Sequence, residues 1–378
     1  MPSRTDRGAR PRWDLFCTVV DNLGDAAICW RLARQLAAEH GLDVRLWIDR
    51  PEALASMVPG AAPGTLLEGV RIELDDRTDP RLAATAPGEV ADVVVVTLAG
   101  TLPDAYRAAM RSRRPRATWI AFEYLSAEDW ISTHHGLPSP KPDGLVEHWF
   151  FPGFGSRTGG LLREADLLAR REAFVADPAA RAALLASLGV VARPGERLAS
   201  LFCYPDAAVR PLLDAFAAQA QPWRVLVPRG VAPGCEGHPI AVPIPFLPQR
   251  DYDALLWSCA LNFVRGEESF VRALWAQRPM VWQAYRQPEG AHRPKVRAFV
   301  AAWARDASPA PGAGAACAAM HEAWNAPSEA SARLLGTVLP ALLDALPALE
   351  EAAARWARAH ADTPDLAARL VAFARDRL

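Results

Sequence analysis

Lysine is almost missing from this chain: Lys141 and Lys295 are the only two, and every other residue in the Lys and Arg total of 42 is arginine. Alanine and proline are abundant, so this is a bias of composition, and the arginines are not read as a nucleic-acid signature. Formal net charge is −1, which argues against a global polyphosphate binder while leaving room for a local basic patch. The six cysteines (Cys17, Cys29, Cys203, Cys235, Cys259, Cys317) include no CxxC pair. They read as small hydrophobes in a reducing cytosol rather than zinc ligands. His134 and His135 are adjacent, but no second ligand pair is spaced to help them, so no metal is expected. No apolar run reaches the roughly 20 residues that span a bilayer, and the polar start MPSRTDRGARPRW has no signal core. A soluble cytoplasmic protein is expected, with neither nucleic acid nor membrane as partner. The chain also lacks GxGxxG and GxxxxGK[ST], so a dinucleotide site is unsupported and a P-loop is excluded at motif level.

What is present is alternation. With 378 residues, 51% of them hydrophobic, two domains are the default. Strand patterns at 15–20, 44–48, 70–74, 92–97 and 118–122 alternate with helical stripes. Asp92–Thr97 reads DVVVVT, a run suited to a strand buried on both faces of a parallel sheet. A second alternation starts near Leu198, with strands at 223–227, 240–244, 261–264 and 280–282. The expected class is α/β, with two facing Rossmann-like domains and a C-terminal helix crossing back to the first. Boundaries fall at 1–12 (a disordered leader), 13–164 (the first domain, completed by about 358–378), 165–190 (a helical linker) and 191–357 (the second domain). Residues 132–160, rich in Pro, Gly and aromatics, read as a long ordered loop.

Three constellations carry chemistry. Asp21 and Asp25 lie in the turn after the first strand, where a carboxylate pair could hold a cation and accept its proton. The plainer reading is an Asx-turn with Asp25 as helix N-cap. The stretch 261–282, LNFVRGEESFVRALWAQRPMVW, is strand–turn–helix–strand, with Arg265, Gly266, Glu267, Glu268 and Ser269 in the turn. Such a turn presents helix N-terminal amides to an anion such as a diphosphate, with Ser269 able to cap the helix. It could equally be a plain capping turn. Phe202, Tyr204, Phe246 and Tyr252 lie near strand ends of the second sheet and could stack on a nucleobase or pack as core. Asp251 reads as a helix cap. Two Rossmann-like domains without dinucleotide or phosphate motifs suggest a nucleotide-sugar glycosyltransferase of the GT-B type.

The segments WDLFCTVVDNLGDAAICWRLARQLA, FFPGFGSRTGGLLRE, LFCY, PFLPQRDYD and NFVRGEESFVRALWAQRPMVW, in this order, resemble the protein-arginine rhamnosyltransferases that modify translation elongation factor P, the EarP family. The resemblance runs from about Trp13 into the C-terminal helices. It implies inverting, metal-independent transfer of rhamnose from dTDP-β-L-rhamnose to one arginine of elongation factor P, activating that factor, with no cofactor. It also implies that Asp25 acts as base and Asp21 as orienting partner, or the reverse. The implied donor pocket comprises Phe202, Tyr204, Phe246, Gln249 and Tyr252, with Arg265, Glu267, Glu268 and Ser269 in the donor turn; Glu267 is also taken as catalytic. Glu268 stands where the family carries Asp, Tyr252 where it carries Phe, and Ala260 where members often carry an acid. Competing readings are a GT-B enzyme with another donor or acceptor, and a non-catalytic module that binds a nucleotide sugar or a protein.

Overall fold

The computed structural model describes residues 10–21, 23–78, 85–98, 100–191 and 193–378. Most of the expected leader lies outside these residues, and its last member, Arg12, already belongs to the first strand. The chain divides into two compact units. One holds residues up to Leu125, Asp129–Glu164 and Pro364–Leu378; the other holds Ser126–Glu128 and Ala165–Thr363. Residues 165–190 form the helices Leu167–Ala176 and Pro178–Ser187, which belong to the second unit, and the return to the first begins at Pro364.

Strands of the first unit are β1 (Arg12–Cys17), β2 (Asp43–Ile48), β3 (Leu66–Leu67), β4 (Val70–Leu74), β5 (Val93–Thr97), β6 (Thr118–Phe122), β7 (Pro138–Pro140) and β8 (Val146–Phe150). Their order across the sheet is β3-β4-β2-β1-β5-β6-β8-β7, parallel except for the edge pairs β3/β4 and β7/β8. Every residue of β5 and β6 is buried, as the valine run implies. The chain runs outward from β1 through β2 to β4, then returns to place β5 on the other side of β1. The strand order therefore reverses between β1 and β5, and the loops after them diverge there, which is where open α/β sheets bind ligands.

The segment 132–160 is not one loop. His148 to Phe150 lie in β8, paired in parallel with β6, and the prolines at 138 and 140 sit in the antiparallel edge strand β7. Proline is tolerated at a sheet edge because its missing N–H is not needed for the ladder there. The C-terminal helix Leu366–Arg375 docks on this unit. The Leu366 amide donates to Leu161 (2.9 Å), and Phe373 packs edge-on against Phe150. Arg31 and Arg34, on the helix Gly24–His40, both reach Glu164 (3.0 and 3.1 Å), tying that helix to the end of the motif LLRE.

The second unit has β9 (Arg197–Leu201), β10 (Trp223–Pro228), β11 (Ala241–Ile244), β12 (Leu261–Arg265) and β13 (Met280–Gln283), ordered β11-β10-β9-β12-β13 and wholly parallel. Here the order reverses between β9 and β12. The Pro-, Gly- and Ala-rich stretch 308–314 is mostly helical: the helix Pro311–Trp324 takes in Gly312 and Gly314. Among the described residues no single helix is long and apolar enough to cross a membrane.

Side chains close the outer edge of β13. The Trp282 amide donates to Nε2 of His321 (3.2 Å), the Ala284 amide to Oδ1 of Asn325 (3.0 Å), and Asn325 Nδ2 returns a bond to the Trp282 carbonyl (2.7 Å). Nδ1 of His321 lies 2.9 Å from the Cys317 carbonyl, so the ring is neutral with its proton on Nδ1. Burial lowers its pKa to about 4, against about 6.5 for an exposed imidazole. The unfolded chain takes up a proton between these values and the folded chain does not. Stability is therefore full above pH 6.5 and falls as pH drops towards 4. This histidine alone is expected to cost about 2 kcal/mol between pH 6.5 and 5. Chemical denaturation of wild type and His321→Gln across this range checks it; equal pH slopes would contradict the role given to His321.

Candidate active site

The ladder of β1 stops at Cys17 because the next amides go to carboxylates. Val19 N–H donates to Asp49 Oδ1 (2.9 Å), and the amides of Val20 and Asp21 both donate to Asp25 Oδ2 (2.7 Å each). Asp25 is thus not the N-cap of the helix Gly24–His40. Leu23 holds that position without a side-chain bond, and Asp25, in the first turn, reaches back to the preceding chain. The reason is geometric: three consecutive amides leave the sheet unpaired, and two carboxylates lie within reach of them. Gly24 keeps the turn tight, since a Cβ there would sit 3.0 Å from Asp21 Oδ2.

Asp25 is only 3% exposed, whereas Asp21 is half-buried. Burial raises the Asp25 pKa, the two backbone bonds pull it down, and the charge of Asp49 pushes it up again. Asp75 is likewise raised by burial, with Arg77 opposing and Asp49 adding. Asp49 and Asp75 directly follow β2 and β4, so the carboxyl ends of β1, β2 and β4 are lined with carboxylates. The sequence reading missed both. The signal was present: each is an aspartate immediately after an apolar strand end, Ile48-Asp49 and Leu74-Asp75. An edge of this charge suits a cation, and a carboxylate of raised proton affinity suits a base.

In the second unit, the side chains expected to form a pocket come together where the strand order reverses. The Arg265 guanidinium, at the end of β12, lies over the rings of Phe202 (4.5 Å) and Tyr204 (4.9 Å) just past β9, and its Nη1 donates to the Cys203 carbonyl (2.8 Å). Phe202 in turn meets Phe246 (6.3 Å) and Tyr252 (5.8 Å). Gln249 opens the helix Gln249–Ser258 that carries Tyr252. Asp251 lies inside that helix and does not cap it; Pro248 precedes the first turn. The Gly266 backbone is left-handed (φ +64°), and its carbonyl accepts from Trp282 Nε1 (2.7 Å).

Glu267 precedes the helix Glu268–Trp275 and pairs with Lys295 at 3.0 Å. Ser269 does not cap this helix. Its hydroxyl donates to the Arg265 carbonyl, because at the second helical position it points back along the turn. Glu268 and Ser269 are both buried. Behind the turn, Arg272 and Asp253 form a buried two-pronged pair (2.8 and 2.6 Å) that locks this helix to Gln249–Ser258. Sequence reasoning missed Lys295, Asp253 and Gln283, whose Oε1 accepts from the Tyr204 amide (2.8 Å). No local pattern distinguishes these from ordinary polar residues. The arrangement offers aromatic faces for a base, and a guanidinium and helix N-terminal amides for an anion.

The model of the family described as the elongation factor P (EF-P) rhamnosyltransferase EarP matches residues 13–375. A protein-arginine rhamnosyltransferase of Pseudomonas putida is 46% identical over 384 aligned positions, covering 97% of this chain and 99% of that protein. A chain of the solved structure describing EarP-mediated arginine glycosylation of translation elongation factor EF-P is 34% identical, with a TM-score of 0.67, covering 98% of this chain and all of that one. The spinosyn rhamnosyltransferase SpnG, 11% identical with a TM-score of 0.55 over 97% of this chain and all of its own, shares the fold, which is of the GT-B class. The chain belongs to the EarP family of elongation factor P rhamnosyltransferases and is a protein-arginine rhamnosyltransferase.

Proposed function

We propose that this protein transfers rhamnose from dTDP-β-L-rhamnose to one arginine of elongation factor P, with inversion at C1 and without a metal ion. The observation that carries this reading is that each unit holds a site at the strand-order reversal of its sheet, and the two differ in charge. One is a carboxylate edge fit for a guanidinium; the other is an aromatic and cationic pocket fit for a nucleoside diphosphate. Phe202, Phe246 and Tyr252 take the thymine, with Tyr204 and Gln249 beside them. Arg265 and the amides opening the helix Glu268–Trp275 take the diphosphate. Glu267, Glu268 and Ser269 meet sugar hydroxyls and backbone amides rather than phosphate, because carboxylates repel it.

An arginine guanidinium has a pKa above about 12 and is a poor nucleophile. Asp21 orients it by charge-assisted hydrogen bonds. One guanidinium nitrogen attacks C1 from the face opposite the diphosphate. The C–N bond forms, the C1–O bond breaks, and dTDP leaves with the electron pair. The nitrogen becomes acidic as its bond forms, and Asp25 takes the proton. Arg265 supplies the positive charge that a metal would otherwise bring to the leaving group. The reading is tested by incubating the protein with dTDP-β-L-rhamnose and elongation factor P, with and without EDTA, and determining the product anomer by NMR. An α-linked rhamnose formed at the same rate in EDTA is expected. A β linkage would overturn inversion, and loss of turnover in EDTA would overturn metal independence.

A further inference from the structure

We propose that Asp49 is a positioning residue for the transfer: from the end of β2 it fixes the turn that presents Asp21 and Asp25, and it completes the anionic edge that receives the guanidinium. The inference rests on the reading above and extends it to a residue which that reading leaves without a role.

The turn after β1 has three amides that leave the ladder in succession, at Val19, Val20 and Asp21. Asp25 satisfies the last two from within the same turn, at 2.7 Å each. The first is satisfied by Asp49 Oδ1, 2.9 Å from Val19 N, on the neighbouring strand's exit. A bond between residues thirty apart fixes the turn to the sheet, where a bond within the turn could only shape it. The Asp49 amide also donates to the Cys17 carbonyl (3.4 Å), so the exits of β1 and β2 are held from both sides. The charge of Asp49 reaches Asp25, so the two carboxylates are electrostatic neighbours. Asp75, leaving β4 next to β2, extends the row. Both of its carboxylate oxygens are buried with no hydrogen-bond partner among the described residues, and Arg77 approaches one of them at 3.6 Å. Buried oxygens of this kind normally find a donor. A guanidinium, with five N–H groups in a fixed fork, is a ligand this row suits.

The titratable groups that act on Asp25 are Asp49 from β2 and Cys17 at the end of β1, and the Asp21 amide bonds it from its own turn; Cys17 in turn contacts Cys29, which meets the neutral Thr97 of β5. Burial is the main cause that raises the proton affinity of Asp25, and the charge of Asp49 adds to it. Removing its charge makes Asp25 a weaker base and moves its titration to lower pH.

The charge and the hydrogen bond can be separated. Asp49→Asn keeps an oxygen for Val19 N–H and loses the charge; Asp49→Ala loses both. Rhamnosyl transfer to elongation factor P is measured from pH 4.5 to 9 for wild type and both variants, with dTDP binding as the check on folding. For Asp49→Asn the expected result is unchanged dTDP affinity, an acidic limb of kcat/KM moved to lower pH, and a higher KM for the acceptor. For Asp49→Ala, kcat/KM falls about 100-fold, the scale set by misplacing a reacting group by ~1 Å. A pH profile and acceptor KM equal to wild type in Asp49→Asn, with full activity in Asp49→Ala, would overturn the proposal. That outcome leaves the transfer reading standing, because the wild type still turns over. A wild type that forms no product overturns the reading, and the proposal with it.

Discussion

Asp25→Asn is expected to lower kcat by about 10²- to 10⁴-fold, the usual weight of a positioned general base, without unfolding the protein. Asparagine retains an oxygen for the amides of Val20 and Asp21, so the turn after β1 persists. What is lost is the capacity to take a proton. Asp21→Asn should differ in kind: Asp21 is more open to solvent and its assigned work is to orient the guanidinium. Its variant is expected to raise the acceptor KM more than it lowers kcat. The raised proton affinity of Asp25 favours this assignment, because a base is most effective when its pKa approaches the working pH. Steady-state kinetics on both variants decide it. A larger kcat loss for Asp21→Asn would reverse the roles, and wild-type turnover by Asp25→Asn would remove that residue from the mechanism.

Arg265→Ala is expected to lower kcat/KM by about 10²- to 10³-fold, the scale measured when one preorganised donor to a developing anion is removed. The loss has two parts. Its guanidinium lies over Phe202 and Tyr204, so its removal loosens the aromatic pocket and weakens dTDP binding. In the proposed mechanism it also stabilises the diphosphate as C1–O breaks, so its loss lowers kcat. Lysine should not rescue the variant. An ammonium has no plane to lie on two rings, and it cannot hold the Cys203 carbonyl and an anion in one fixed fork. Calorimetry with dTDP separates the ground-state share from the kinetic share. A variant with unchanged dTDP affinity and unchanged kcat would contradict the placement of the diphosphate.

Much of this was legible in the sequence, for identifiable reasons. β4 and β6 were read at their observed bounds because short apolar runs between turn residues have few alternatives. The aromatic cluster was legible because Phe202, Tyr204 and Phe246 lie just past strand ends, with Tyr252 on the helix that follows. Of the three capping assignments, Asp251 fails because it lies inside its helix, while Asp25 and Ser269 share another reason: both sit where a cap is expected, yet both bond backward to the strand exit, a choice set by which amides and carbonyls the sheet leaves unpaired. β8 was hidden by prolines and glycines around it, because only the tertiary pairing with β6 reveals a strand there. Asp49 and Asp75 do carry a signal, an aspartate directly after an apolar strand end, but only the neighbouring strand exits give it meaning; Lys295 was missed because its partner Glu267 lies far away in the chain and no periodicity marks it.

Intact mass spectrometry of elongation factor P from the same organism, after incubation with this protein and dTDP-β-L-rhamnose, tests the central claim most directly. The account predicts a gain of one deoxyhexose, mapped by fragmentation to a single arginine, and no gain when that arginine is replaced by lysine. Unmodified elongation factor P in the presence of active, donor-binding protein, or sugar on a residue other than arginine, would contradict it.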